Sequence, residues 1–275
     1  MKNVSYQDFT KIISDHNFWL LTNGNKSEQA NFSNFDLSEV MIKYYDNRNI
    51  GILGSLELSK INFSQAKITN SILYGKFDGC DFSYANLKNT VLKGSFKNCN
   101  FTGAKMNFAK TESFYFGENE PTDFSGSIFS GTNLEMCNFA YSKFDNCLFE
   151  FVQGNGLKIP NSKLCNTQIK ESCLFNYSDF GDCWFKDSYI EESVFNGVNM
   201  NNIYFQNTRI KSCDLKESMI AYATFSYGDL QNNTFIGAYI ENTDFPHTTI
   251  TNCYFDEEYN IEQSKSNKEN KNIER

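Results

Sequence analysis

The sequence predicts an all-β solenoid whose coils have four sides, and three observations lead to this prediction. A large apolar residue recurs at every fifth position from Phe175 to Phe255, seventeen times without a slip. Residues twenty positions apart in this run are chemically alike, and the position two before each large residue is nearly always small. A period of five excludes a long α-helix, which needs apolar spacings of three and four, and a half-buried strand, which needs alternation. Repetition is therefore the first property of the chain to explain.

The spacing of twenty sorts the apolar residues into columns. Grouping the run by four segments of five gives one column made only of Phe and one made only of aliphatic residues, whereas grouping by three would mix them. Stacked rings beside branched side chains can fill a narrow interior at high density. We expect the core to include Phe175, Phe180, Phe185, Ile190, Phe195, Phe205, Ile210, Phe225, Leu230, Phe245 and Ile250.

A second regularity supports coils with four sides. The apolar period shortens from five to four at Phe77 and again at Phe96, nineteen residues later, and a glycine precedes each of them by two positions (Gly75 and Gly94). If four segments make one coil, both shortened steps fall on the same side of neighbouring coils. The recurrence therefore agrees with the grouping by four.

Residues 1–29 lack the period and are predicted to form a short N-terminal helical cap. Ser5 followed three residues later by Asp8 is a typical helix start, and a helix through Phe9 would end near His16 to Leu20. A solenoid needs such a cap because an open core cross-section would recruit other chains.

The repeats are predicted to span residues 30–256. Three stretches interrupt the apolar period: residues near 43–59, 109–121 and 150–158. They are either loops that contact a partner or insertions tolerated at corners. Residues 257–275 are polar and poor in apolar side chains, so we expect a disordered tail.

Charge is unevenly distributed along a chain with a net charge of −8. Residues 60–110 carry eight Lys against two Asp, whereas residues 175–256 carry eleven Asp and Glu against four Lys and Arg. The sequence has no run of eighteen apolar residues and shows no targeting segment. We expect a soluble, cytoplasmic protein that does not insert into a membrane.

The residues that usually carry catalysis or bind metals are few or are placed for packing. Eight of the nine cysteines occupy the small inward position, and Cys165 is the exception. The eight are Cys80, Cys99, Cys137, Cys147, Cys173, Cys183, Cys213 and Cys253. We interpret them as buried thiols, so we expect no metal site and no cofactor. His16 and His247 are the only histidines, and no phosphate-binding loop or nucleophile motif is present, which argues against an enzyme.

Several segments carry a family resemblance. They are Cys80-Asp-Phe-Ser-Tyr84, Ala85-Asn-Leu-Lys-Asn89, Thr132-Asn-Leu-Glu-Met136 and Ser178-Asp-Phe-Gly-Asp182. These segments resemble the A(D/N)LXX repeat of the pentapeptide repeat proteins. The resemblance implies a right-handed quadrilateral parallel β-helix with four pentapeptides per coil. His16, Trp19 and Leu20 are similar to the HxxWL core of a helical leader that precedes such repeats.

The resemblance and the charge pattern together leave three functions open. We favour a non-catalytic protein-interaction scaffold whose partner is unknown. The alternative comes from family members that mimic DNA and bind type II topoisomerases such as gyrase, giving quinolone protection. The acidic surface for such a role would be Asp179, Asp182, Asp187, Glu191, Glu192, Asp214, Glu217, Asp229, Glu241 and Asp244.

The second alternative is weak nucleic-acid binding through the basic stretch 60–110, which contains Lys88, Lys93, Lys97 and Lys105. That stretch has no Arg and few interleaved aromatic residues, so solubilising surface is the preferred interpretation. The oligomeric state stays open. Known mimics resemble one another in forming dimers through an apolar C-terminal element, and residues 257–275 offer none.

Overall fold

The computed structural model describes residues 1–41, 57–112 and 120–256. The chain divides into two compact units, unit 1 from Met1 to Lys143 and unit 2 from Phe144 to Arg275. Most of the first two predicted interruptions and the whole predicted tail lie outside the described residues. Among the described residues, no helix has the length and hydropathy needed to cross a membrane.

Unit 1 begins with the predicted helical cap and continues as parallel coils. Its elements are β1 (Lys2–Asn3), α1 (Tyr6–Leu21), β2 (Phe35–Asp36), β3 (Ile72–Lys76), β4 (Val91–Ser95) and β5 (Lys110–Thr111). The Ser5 hydroxyl accepts the Asp8 amide at 3.1 Å at the start of α1, as the sequence predicts. Phe9 of α1 stacks on Phe32 with 5.0 Å between ring centroids, so the helix covers the first coil. Strands β3, β4 and β5 form a parallel sheet.

Unit 2 consists of short parallel strands joined by tight turns. Its strands are β6 (Leu148–Glu150), β7 (Gln168–Lys170), β8 (Trp184–Lys186), β9 (Tyr189–Glu191), β10 (Tyr204–Gln206), β11 (Arg209–Lys211), β12 (Thr224–Ser226), β13 (Asp229–Gln231) and β14 (Thr249–Thr251). One sheet has the order β8-β10-β12 and the other has the order β6-β7-β9-β11-β13-β14. From Val194 onward every strand or bridge pair joins residues twenty positions apart.

The fold is the predicted quadrilateral parallel β-helix, with four pentapeptides in each coil. We number the sides of unit 2 by their large inward residue in one coil: side 1 by Phe185, side 2 by Ile190, side 3 by Phe195 and side 4 by Met200. All four side chains are buried. Strands β8, β10 and β12 lie on side 1, and the six-stranded sheet forms side 2. Rings of the Phe column on side 1 stack at 5.0, 4.8 and 5.0 Å.

The predicted core residues fill the interior of unit 2. Ten of the eleven are buried, and Ile250, in the last described coil, is half-buried. The small inward position does more than leave room, because its hydroxyls satisfy carbonyl groups of the preceding coil. Ser188 donates to the Leu164 carbonyl at 2.6 Å, and Thr167 donates to that of Phe144 at 2.6 Å. These bonds satisfy carbonyls that the coil buries at its corners.

Two local departures from the period have clear structural causes. At residues 150–158 the ladder continues through the interrupted apolar pattern, since Gln153 pairs with Leu174. Gly154 takes the place of a large residue there, and a Cβ on it would lie 2.7 Å from the ring of Phe175. Further along, Ile169 and Phe175 are six positions apart instead of five. The extra residue lies at a corner where both Glu171 (φ 58°) and Ser172 (φ 60°) have the left-handed backbone conformation.

Candidate functional site

Three residues of each pentapeptide face outward, so any partner must be recognised by them. The last of the three, two positions after the large residue, has a positive φ in nearly every repeat, for example 56° at Tyr177 and 57° at Tyr222. Asn and Gly are common there because they tolerate this conformation. The recurrence of Asn and Gly at that position is the sequence signal for this rule, which charge and apolar spacing alone do not show.

The predicted acidic residues of unit 2 lie on every side of the coil. Side 1 and its corner carry Asp187 and Asp244; side 2 carries Glu191, Glu192 and Asp229; side 3 carries Asp214 and Glu217; side 4 carries Asp179, Asp182 and Glu241. Several have structural partners. The Asp179 carboxylate accepts a 2.8 Å hydrogen bond from Asn199, and that of Asp229 forms a 3.2 Å ion pair with Arg209. The structure does not bring the ten residues together into one acidic face.

The predicted basic residues of unit 1 are also spread over several sides. Lys105 pairs with Asn86 on one side of the coil, whereas Lys93 belongs to β4 on another side. The Lys93 ammonium lies 4.9 Å from the Tyr74 ring centroid, and that of Lys97 lies 3.2 Å from the Asp123 carboxylate. A nucleic-acid backbone needs a continuous cationic track, and these contacts do not form one.

The cysteines and His16 have packing roles in the described structure. All nine cysteines are free thiols, and seven of the eight at the small inward position are buried, with Cys253 half-buried. His16 is fully buried, with Nε2 2.7 Å from the Ser59 carbonyl and Nδ1 accepting the Ala30 amide at 3.1 Å. Within residues 1–41, 57–112 and 120–256, no cluster of His, Cys, Asp and Glu has an arrangement suited to a metal ion.

A patch of exposed apolar side chains lies near the end of unit 2, along side 4 and at the adjoining end of side 3. We call Met219, Tyr222, Ile236 and Tyr239 the apolar corner; their exposed fractions are 45%, 60%, 48% and 57%. Met219 and Tyr239 are neighbours in one ladder. Ile236 and Tyr239 flank a turn at Gly237, which the Ala238 amide closes by donating to the Phe235 carbonyl at 2.9 Å. Charge counted along the sequence does not predict this patch, because its members are far apart in the chain.

Comparison with known proteins supports the fold. The family model described as Pentapeptide repeats matches residues 76–110 and 122–152 in eight copies. No curated protein shows significant similarity to the chain.

Similar solved structures include HetL, a pentapeptide repeat protein involved in heterocyst differentiation regulation in the cyanobacterium Nostoc sp. strain PCC 7120. It is 13% identical, with 78% of this chain and 93% of HetL covered and a TM-score of 0.46. Full-length QnrB1, a plasmid-mediated fluoroquinolone resistance protein, is 14% identical, with 74% and 93% covered and a TM-score of 0.34. The pentapeptide repeat protein Rfr23 from the cyanobacterium Cyanothece 51142 is 15% identical, with 59% and 91% covered and a TM-score of 0.22.

Proposed function

We propose that this chain, a pentapeptide repeat protein, is a non-catalytic scaffold that binds a protein partner through outward residues of its coils. The observation that carries the proposal is the apolar corner, which exposes four large side chains that the interior does not use. Contiguous exposed apolar surface on a monomeric protein is typical of an interaction site. Tyr and Met are also enriched at the centres of protein interfaces.

Site-specific photo-crosslinking in the cells of origin tests the proposal. A photoreactive phenylalanine analogue would be placed at one outward position per side of unit 2: Gln206, Lys211, Lys216 and Asn202. A scaffold with a dedicated partner gives a discrete protein adduct from one or two sides and none from the others. The absence of an adduct from all four positions would contradict the proposal.

The alternative is a DNA-mimicking binder of type II topoisomerase. Its support is the net charge of −7 over residues 175–256. The spread of these carboxylates over four sides is compatible with a polyanionic surface but is also ordinary solubility chemistry. Titration into a gyrase supercoiling assay, with and without a quinolone, decides between the two functions. Inhibition or protection at micromolar protein would favour the mimic, and neither effect would leave the scaffold.

Weak nucleic-acid binding through residues 60–110 is the second alternative. Its support is the net charge of +6 in that stretch. Binding of this kind weakens steeply with salt because it releases counterions. A gel-shift series with duplex and single-stranded DNA at increasing salt would detect it, and no shift even at low salt would exclude it.

A further inference from the structure

We infer that the apolar corner binds a segment of a partner protein in which an aromatic or aliphatic anchor is flanked by Lys or Arg. The inference rests on the proposed scaffold function and specifies the surface and the chemistry of the partner. Two features of unit 2 support it: apolar side chains replace polar ones at the corner, and acidic groups surround them.

The fold does not require apolar residues at these positions. In preceding coils, the position of Tyr239 and Met219 is held by Asn199 and Asp179. The position of Ile236 is held by Lys216 and Asn196, and that of Tyr222 is held by Asn202 and Asp182. The coils with those polar residues have the same backbone ladder. The change to Met, Tyr and Ile therefore concerns the surface and not the interior.

The four residues lie on two neighbouring coils of unit 2. The Ile220 amide donates to the Tyr239 carbonyl at 2.8 Å, and the Tyr222 amide donates to that of Glu241 at 2.8 Å, so the two coils are in register there. The corner at Gly237 brings Ile236 from side 3 next to Tyr239 on side 4. Met219 and Tyr239 are ladder neighbours on side 4, and Tyr222 lies at the far end of the same side. A partner side chain lying along side 4 would therefore meet aromatic and thioether groups, which are typical of a binding anchor.

Carboxylates surround the apolar corner and define the charge of the partner. The Glu217 amide donates to the Ile236 carbonyl at 3.1 Å, and the Asp256 carboxylate accepts the Gly237 amide at 3.0 Å. Glu241 lies on the opposite edge, where its carboxylate accepts the Tyr239 hydroxyl. Lys216, which holds the position of Ile236 in the preceding coil, is paired with Asp214 at 3.3 Å. The rim is therefore acidic, and a basic flank on the partner complements it.

The same rim argues against a second copy of this chain as the occupant. In a two-fold symmetric dimer each patch faces itself, which would bring Glu217, Glu241 and Asp256 of both copies together. Like charges at an interface disfavour the complex. A partner with the opposite charge meets no such penalty.

Peptide selection on the full chain tests the inference. The probe is a phage-displayed random peptide library, and the binding of selected synthetic peptides is then measured by fluorescence anisotropy. We expect the selected peptides to carry an aromatic or aliphatic residue next to Lys or Arg. The variant M219N/Y222N/I236N/Y239N, which introduces residues that the same columns accept elsewhere, should weaken binding at least about tenfold. E217Q/E241Q should weaken binding mainly at low salt.

The matched control is Tyr177→Ser, because Tyr177 is 76% exposed but lies three coils before Gly237 along the same edge, away from the four residues of the apolar corner. Its affinity for the peptides should equal that of the wild type. Selection of acidic peptides, or of no peptides, would overturn the inference, and so would undiminished binding to the four-Asn variant. A dimer in light scattering that the four-Asn variant abolishes would assign the corner to a second copy instead. Stronger peptide binding by K265E/K268E/K271E would assign it to the chain's own C-terminal residues.

The two proposals fail in distinguishable ways. Adducts from a side away from the corner, combined with no effect of the four-Asn variant, would keep the scaffold function and remove this inference. An absence of adducts from every side would remove the proposed function itself.

Discussion

Unit 1 and unit 2 build the same interior with coils of different length. In unit 1 the strands β3 and β4 pair Leu73 with Leu92, nineteen residues apart, whereas unit 2 pairs Phe205 with Phe225, twenty apart. The rings still stack in both, at 5.2 Å for Phe82 on Phe101 and 4.8 Å for Phe205 on Phe225. Coil length can therefore change at one corner without disturbing the columns. The residues that form the interior columns and the residues that form the corners therefore meet different structural requirements.

The largest loss of stability is expected from substitutions in the Phe columns, and this loss should be equal in the two units. Phe205→Ala and Phe82→Ala each remove a buried ring from a stack, which should cost about 3 to 5 kcal/mol of unfolding free energy. Urea unfolding followed by circular dichroism measures both. A variant that unfolds like the wild type would contradict the account of that unit's interior.

The corner glycines of unit 1 should differ in their importance for stability. A Cβ on Gly94, at φ 112°, would lie 2.2 Å from the Gly75 carbonyl oxygen, so Gly94→Ala should destabilise by about 1 to 3 kcal/mol. The control is Gly79→Asn, because Asn98 holds the same position in the next coil at φ 54° and the nearest atom to a Cβ at Gly79 is 3.6 Å away. The control should stay within about 0.5 kcal/mol of the wild type. Equal effects from both substitutions would mean that the close approach is unimportant.

Acid should weaken unit 1 through His16. Burial lowers the pKa of His16, and the hydrogen bond to Ser59 and the nearby Glu57 carboxylate offset this only in part. The folded chain therefore holds His16 neutral while the unfolded chain takes up a proton as the pH falls below about 6.5. Stability is present above that pH and declines below it, by at most about 1.4 kcal/mol per pH unit from this group.

Urea unfolding at pH 7.5 and pH 5.5 measures this effect, with His16→Asn as the comparison. The wild type should lose more stability between the two values than the variant does. An identical pH dependence in the wild type and His16→Asn would contradict the assignment.

The reactivity of the cysteine thiols in the native protein should differ between the two units. Burial raises the pKa of Cys99 and of Cys213 to about 12 and that of Cys173 to about 11, which suppresses the reactive thiolate. The partly exposed Cys165 and Cys253 belong to unit 2. Maleimide labelling of the native protein, mapped by mass spectrometry, should modify these two first. Labelling of Cys99 as fast as Cys165 would show that the core of unit 1 opens.

The interior could be predicted from the sequence because it repeats. One large and one small residue per pentapeptide are enough to define four sides, and the cap at Ser5 follows from local helix chemistry. The Phe columns of unit 1 were harder to detect, since Phe101 and Phe129 stack at 5.1 Å across twenty-eight residues and not twenty. A spacing that changes between coils hides a column until the backbone pairing is known.

The apolar corner could not be predicted for a different reason. Ile236 and Tyr239 are adjacent only because the turn at Gly237 folds two sides together, and Met219 joins them only through pairing across twenty residues. Charge can be counted along a sequence, whereas a patch needs three-dimensional neighbours. Acidic residues such as Asp179 also turned out to have local hydrogen-bond roles that a count of charges does not show.

The division between inward residues that build the coils and outward residues that bind a partner has one direct test. It is the unfolding free energy of M219N/Y222N/I236N/Y239N, measured in urea beside Phe205→Ala. The account predicts that the four-Asn variant stays within about 1 kcal/mol of the wild type, since the same columns already hold Asn in other coils. A loss as large as that of Phe205→Ala would show that the corner belongs to the folding core, and would contradict its assignment as a binding surface.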